Sequence, residues 1–76
     1  MKATFGEYIR QLRTDKGFTL TELAALLKLD SANLSKIENN KREFDEKRLD
    51  KLANAFDLDF EKLKTEYFGD QFAKKM

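Results

Sequence analysis

The stretch that decides the fold is residues 19–38, which read TLTELAALLKLDSANLSKIE. It contains two short segments in which apolar residues recur at helical spacing, near 20–27 and 31–38, with a turn over residues 28–30. Helices of this length are unstable in isolation, so each must pack against the other and against further helices. Ala24 is small and stands where the two helices would approach each other most closely. The pattern predicts a packed helix pair whose second member has one face turned outward.

Side chains that can cap free backbone amides recur along the rest of the chain, and each of them marks a predicted helix start. Thr4 and Thr19 each begin a capping box, and each of Asp30, Asp45 and Asp59 follows an apolar residue that can pack on the first helical turn. These starts predict five helices. The predicted helices lie near residues 5–16, 20–27, 31–38, 46–56 and 60–68.

Helix ends are marked by residues that tolerate the left-handed backbone conformation. Gly17 and Gly69 are placed to end the first and last helices, and Asn40 can do so after the third. Between starts and ends, the spacing of apolar residues predicts a single core. The predicted core residues are Phe5, Ile9, Leu12, Leu23, Leu26, Leu27, Leu34, Ile37, Leu49, Leu52, Ala53, Phe56, Phe60 and Leu63. The fold class that we predict is all-α, a compact five-helix bundle.

Length and composition limit what this chain can do. With 76 residues it is expected to form one domain, residues 1–76, with a core over about 4–68 and a C-terminal tail over 69–76. It has no cysteine and no histidine, which removes thiolate metal sites and the usual general base at neutral pH. The sequence offers neither a nucleophile–base pair nor a glycine-rich phosphate loop. We therefore expect no enzyme activity, no metal and no cofactor.

Charge and hydropathy limit where in the cell the protein is expected to act and which partners it can bind. Fifteen basic and 14 acidic side chains give a net charge of +1, so a surface that binds nucleic acid would have to be local. No apolar run approaches the length of a membrane span, and the N-terminus lacks a signal-peptide pattern. These features favour a cytoplasmic protein without membrane contact.

The second helix of the pair has a face suited to DNA. With Leu34 and Ile37 inward, the outward residues are small or flexible, and Lys36 is among them. A helix pair of this kind is a helix-turn-helix, which presents its second helix to the major groove. The candidate base-contacting residues are Ser31, Ala32, Asn33, Ser35 and Lys36.

The segment after this helix is polar and basic. Asn39, Lys41 and Arg42 follow directly, and a loop there would reach the sugar-phosphate backbone beside the helix. We predict that these three residues contact phosphates.

Four ordered stretches resemble the Xre family of helix-turn-helix regulators, which share the fold of phage repressor and Cro proteins. They are residues 17–24, 35–42, 49–56 and 59–63, and the similarity extends over about 5–68. The resemblance implies a sequence-specific regulator of bacterial or phage origin that binds double-stranded DNA. It also implies a homodimer, acting as a repressor on a palindromic operator with the third helix in the major groove.

The resemblance assigns roles to further positions. It implies that Thr19, Leu20 and Thr21, at the start of the second helix, anchor a phosphate. It pairs Arg13 with Glu38 as a structural ion pair. Several positions depart from the family pattern, and two of them matter for the site: Leu20 stands where Gln is common and Lys28 where Gly is common. If the turn keeps its shape, Lys28 must adopt positive φ. Phe44 and Asp57, which stand where proline and glycine are usual, do not threaten the fold.

Several questions stay open at the level of sequence, and one is whether the regulator represses or activates transcription. The aromatic residues Tyr67, Phe68 and Phe72 come late in the chain, and they either cover the core or form a dimer surface. The same fold also serves as a protein-interaction module, for instance as an antitoxin or a scaffolding partner. The chain can equally be the N-terminal part of a longer regulator.

Overall fold

The computed structural model describes the backbone of residues 4–75 and the side chains of residues 4–69. Five α-helices follow one another, and no strand occurs within this range. They are α1 (Phe5–Lys16), α2 (Leu20–Leu26), α3 (Ser31–Glu38), α4 (Leu49–Phe56) and α5 (Phe60–Lys75), with a 3-10 turn at Glu46–Arg48 before α4. The all-α, five-helix fold predicted from the sequence is thereby confirmed.

The predicted caps account for where most helices begin. The hydroxyl of Thr19 accepts a hydrogen bond from the amide of Glu22 at 3.1 Å, and the Glu22 carboxylate accepts one from the amide of Thr19 at 2.8 Å. The Asp30 carboxylate accepts the amide of Asn33 at 2.7 Å. Asp45 caps a 3-10 turn, through the amide of Lys47, rather than an α-helix. The prediction that the fourth helix begins at 46 is therefore wrong by three residues.

A residue with left-handed backbone conformation follows each of the first four helices, but the end predicted for the last helix is wrong. Gly17, Lys28, Asn40 and Asp57 have φ of 81, 60, 63 and 54°, and each follows the end of a helix. Gly69 lies inside α5, which continues to Lys75, so the predicted end of the last helix is wrong. A single glycine lowers helix stability by about 1 kcal/mol relative to Ala, and that cost alone does not stop a helix.

The core lies between α1, α2, α3 and α4 and is closed from one side by α5. Its fully buried side chains are Ile9, Leu23, Leu27, Leu34, Leu49, Leu52 and Leu63. Two predicted core residues are corrected, because Leu26 is 46% exposed and Phe60 is 39% exposed. Leu26 lies on the wall of an open groove between the end of α2 and α4, where its neighbour Ala55 is too small to cover it. Leu12 is only half-buried.

Aromatic rings join the two ends of the chain. Phe5 contacts Phe44 and Tyr67, with ring centroids 5.7 and 5.2 Å away. The hydroxyl of Tyr67 donates a buried hydrogen bond of 2.9 Å to the carbonyl of Phe44. Tyr67 is thus part of the core, which decides between the two roles that the sequence left open and removes this residue from the candidate dimer surface. Phe68 remains 42% exposed, and the side chain of Phe72 lies outside the described residues.

Close packing of α1 on α3 depends on Gly6. A Cβ atom at this position would lie 2.3 Å from the carbonyl oxygen of Ile37 and 2.8 Å from Oδ1 of Asn40. Only glycine lets α1 approach the end of α3 this closely.

None of the helices in the described part of the chain is long and apolar enough to cross a membrane.

Candidate nucleic-acid interface

One strip of α3 faces solvent. Leu34, Ile37 and Glu38 are buried, which fixes the rotation of the helix about its axis. Ala32 and Lys36 are exposed and stand one turn apart, so they share the face opposite the core. No hydrogen bond or ion pair to the Lys36 ammonium occurs among the described residues. The strip therefore presents a small residue and an available cation.

The flank of α3 nearest α1 is built on a buried ion pair. The guanidinium of Arg13 contacts both carboxylate oxygens of Glu38, with Nε 2.8 Å from Oε2 and Nη2 3.1 Å from Oε1. Arg13 also donates to the carbonyl of Phe18 at 3.1 Å, which ties in the segment before α2. Glu38 is 2% exposed, and a charge this deeply buried is stable only when it is paired. The pair fixes the last turn of α3 against α1.

Arg10 extends this network to the loop. Its Nε lies 3.4 Å from Oε1 of Glu38, and its Nη2 donates to Oδ1 of Asn39. The other half of the Asn39 amide donates to the backbone oxygen of Ser35 at 2.9 Å. Arg10 of α1 thus holds the side chain of Asn39, which in turn contacts the backbone of the half-buried Ser35. Arg10 was not identified from the sequence, although its spacing of three residues from Arg13 places both on one face of α1.

The opposite flank of α3 carries a second chain of hydrogen bonds. Asn33 donates from Nδ2 to Oδ2 of Asp30 at 3.3 Å. Its Oδ1 accepts a hydrogen bond of 3.1 Å from Nη1 of Arg42. Arg42 belongs to the loop after α3, yet its guanidinium lies beside the first turn of that helix. The predicted base-contacting Asn33 and the predicted phosphate-contacting Arg42 are therefore in direct contact.

The other predicted residues surround this face. Ser31 is exposed at the start of α3, and Lys41 is exposed in the loop after it. At the start of α2, Thr19 and Thr21 are exposed. The side chain of Leu20 packs against the core instead, so any contact of this residue with phosphate would have to use its backbone amide.

A residue that the sequence did not indicate fixes the turn between α2 and α3. Arg48 donates from Nε to the carbonyl of Leu27 at 3.0 Å and from Nη2 to that of Lys28 at 3.4 Å. Its Nη1 is 2.9 Å from Oδ2 of Asp45. The side chain thereby satisfies carbonyls at the end of α2, where the helix itself supplies no partner. No sequence signal distinguishes this arginine from a solvated one.

The described residues contain no cluster of side chains that could bind a metal ion, since no group of three or more His, Cys, Asp or Glu is placed among them to hold one. The polar groups of the α3 face are arginine, lysine, asparagine and serine side chains. Such groups contact phosphates and base edges.

Comparison with known proteins agrees with this geometry. The sequence profile of a helix-turn-helix family matches residues 9–63. The structure resembles the restriction-modification controller protein C.AhdI from Aeromonas hydrophila, with 36% identity, a TM-score of 0.69, and coverage of 78% of this chain and 89% of that one. No curated protein matches the chain at a significant level.

Two further solved structures are similar. One is SinR, a master regulator for biofilm formation, in complex with DNA, with 31% identity, a TM-score of 0.68, and coverage of 79% of this chain and 97% of that one. The other is the clp gene regulator ClgR from Corynebacterium glutamicum, with 30% identity, a TM-score of 0.67, and coverage of 84% of this chain and 83% of that one.

The fold and the exposed α3 face together define a helix-turn-helix protein. The chain belongs to the Xre-like helix-turn-helix family. It is a DNA-binding transcriptional regulator, and its family and structural neighbours are regulators rather than enzymes.

Proposed function

We propose that this protein is a repressor that binds a palindromic operator as a homodimer, with α3 of each copy in the major groove. The observation that carries the proposal is the exposed strip of Ala32 and Lys36 on a helix whose other faces are buried or braced. A major groove about 12 Å wide admits a helix with small side chains on its leading face. Repression would follow from occupying the operator and excluding polymerase.

The residues divide by the kind of contact that they can make. Lys36 and Ser31 can hydrogen-bond base edges, and Ala32 can contact a thymine methyl group. Ser35 lies beside them, at the edge of the same face. The phosphate contacts fall to the start of α2 and to the loop after α3. Those residues are Thr19, Leu20, Thr21, Asn39, Lys41 and Arg42.

We place the dimer surface on the exposed side of α5. Phe60 and Phe68 are partly exposed, and Lys64 lies between them in the sequence, with its Nζ 5.5 Å from the centre of the Phe60 ring. These three residues are spaced by four, so they form one stripe along the helix. Two copies joined there would have to place their α3 helices about 34 Å apart to match successive turns of DNA. A cytoplasmic location fits a protein that acts on bacterial or phage DNA.

The first experiment is a selection of bound sites from a random duplex pool, followed by binding measurements at several salt concentrations. We expect a palindromic consensus, and an affinity that falls steeply with salt as phosphates are neutralised. Lys36→Ala should change the preferred sequence, whereas Lys41→Ala should weaken all sequences about equally and reduce the salt slope by about one. An unselective pool, or identical preferences for wild type and Lys36→Ala, would contradict base reading by α3.

The second experiment concerns the dimer. Sedimentation equilibrium should show a dimer for the wild type and a monomer for Phe68→Glu, because a carboxylate on the α5 stripe opposes burial in an interface. Glu66→Gln, a change at an exposed residue that the stripe does not include, is the matched control. A monomeric wild type that still binds a palindrome would overturn this dimer surface.

A further inference from the structure

Arg42 differs from Lys36 and Lys41, the exposed lysines of α3 and of the loop after it, because its side chain is held in place. Its Nη1 donates to Oδ1 of Asn33 at 3.1 Å, and the same amide donates to the carboxylate of Asp30 at 3.3 Å. Asp30 is itself fixed, since it accepts the amide of Asn33 at 2.7 Å as the helix cap. Lys36 and Lys41 have no such support among the described side chains.

The same bonds occupy Asn33. An asparagine reads adenine by using its oxygen and its nitrogen together. Here the oxygen is taken by Arg42 and the nitrogen by Asp30. Each of these two atoms keeps one further hydrogen-bonding position, so a contact with adenine would have to share both atoms with Arg42 and Asp30. Asn33 is therefore better placed to hold the Arg42 side chain than to contact a base itself.

Arg42 keeps four further N–H donors, since a guanidinium carries five and one is used by Asn33. They lie beside the first turn of α3, because Asn33 is the third residue of that helix. In helix-turn-helix proteins this turn is the part of the helix that contacts base edges. A fixed planar guanidinium there matches the two acceptors of guanine, O6 and N7, and loses less entropy on binding than a free side chain does.

We propose that Arg42 is a specificity-determining residue that reads a guanine beside α3, and that Asn33 is a positioning residue that acts through it. The proposal rests on the DNA-binding function proposed above, and it changes the role of Arg42 given there and the role of Asn33 predicted from the sequence. Arg42 becomes a base reader instead of a phosphate contact, and Asn33 supports Arg42 instead of contacting a base itself.

The test compares wild type, Arg42→Lys, Asn33→Ala and the double variant on the selected operator and on every single-base change of it. Arg42→Lys keeps the charge, so we expect the salt slope to stay and the preference for guanine at one base pair to fall by roughly 5- to 150-fold. Asn33→Ala should weaken preference at the same base pair, and the double variant should lose no more than Arg42→Lys alone. Lys41→Ala, next in the chain, is the control that weakens all sequences equally.

A readout without DNA tests the brace by itself. We expect the guanidinium hydrogens of Arg42 to exchange more slowly than those of a free arginine by NMR, and Asn33→Ala to abolish the difference. Helix content measured by circular dichroism checks that both variants fold, since both side chains lie at the surface.

Different results overturn different claims. If Arg42→Lys weakens all sequences equally, Arg42 contacts only phosphate and the inference is wrong. If Asn33→Ala changes preference at a different base pair, Asn33 reads that base and the positioning role is wrong. A wild type that binds duplex DNA without sequence preference would overturn the proposed function and the inference together.

Discussion

Arg13 and Glu38 form a two-pronged ion pair between α1 and the last turn of α3, with N–O distances of 2.8 and 3.1 Å. Glu38 is 2% exposed and Arg13 is 16% exposed, so the pair is largely shielded from water. The two residues lie 25 positions apart in sequence, and their contact sets the position of α3, the helix that we propose enters the major groove.

Removing the carboxylate should therefore be costly. Glu38→Ala leaves two arginines without their buried partner, and we expect a loss of about 3–5 kcal/mol in the free energy of unfolding by urea denaturation. Arg10→Ala is the matched control, because Arg10 is 44% exposed and a pair of that kind contributes about 0–1 kcal/mol. Equal losses in the two variants would contradict a dominant role for the Arg13 pair.

Gly6→Ala should destabilise the protein through a clash. The new Cβ would lie 2.3 Å from the Ile37 carbonyl oxygen, and both helices resist moving because their other contacts are packed. Overpacking costs about 1–3 kcal/mol, against a gain of about 1 kcal/mol from the better helix propensity of alanine. Because the clashing oxygen belongs to the backbone, the cost lies toward the upper end of this range, and we expect a net loss of up to about 2 kcal/mol in thermal or urea unfolding.

Gly17→Ala is the control for this variant. Gly17 has φ of 81° and open space around it, so alanine there meets strain without a clash. A loss of about 1 kcal/mol is expected. If Gly6→Ala proves neutral, α1 does not need a glycine to approach α3.

Lys28→Gly should stabilise the turn of the helix-turn-helix. Lys28 has φ of 60°, a conformation that costs a side-chain-bearing residue about 1–2 kcal/mol. Part of the gain is lost because glycine is more flexible in the unfolded chain. We expect a net gain of about 0.5–1 kcal/mol, seen as a rise of a few degrees in Tm. Asp57→Gly should gain less, since aspartate tolerates this conformation better. A lower Tm for Lys28→Gly would contradict the strain argument.

Tyr67→Phe should reveal the worth of the buried hydrogen bond between α5 and the loop before α4. Phenylalanine keeps the ring contact with Phe5 but leaves the Phe44 carbonyl without its donor at 2.9 Å. An unsatisfied buried acceptor costs about 1–3 kcal/mol, which urea unfolding would detect. Stability within error of the wild type would show that water replaces the hydroxyl.

Tyr8 supplies a pH-dependent prediction. Burial, and then the nearby carboxylate of Glu66, raise the pKa of Tyr8 above its usual value of 10.0. Tyr8 is protonated in both states at neutral pH, so it adds no pH dependence there. As the pH rises past 10.0, the unfolded state loses its proton first and stability falls. Tyr8→Phe should make this fall shallower in unfolding measured from pH 8 to 11, and an unchanged slope would contradict the shift.

Local patterns in the sequence predicted the number of helices and the rotation of α3 about its axis. Local rules decide these features, because a cap such as Asp30 and the spacing of Leu34 and Ile37 act within a few residues of one another. The bounds predicted for α1 and α3 match the structure for the same reason. Positive φ at Lys28 was implied by the family resemblance, in which glycine is common at this position, and the structure has φ of 60° there.

Only the tertiary structure decided which surface residues are fixed and which are available. Arg10 and Arg48 cannot be told from solvated cations in the sequence, and Arg42 was predicted to contact phosphate, yet each donates to a group that is 9 to 29 residues away. Leu26 was predicted to be buried but is exposed, and Tyr67, for which the sequence left two roles open, is buried, because exposure depends on which helix packs above each side chain. A hydrogen bond between distant residues depends on the relative positions of whole helices, and no local pattern in a single chain encodes those positions.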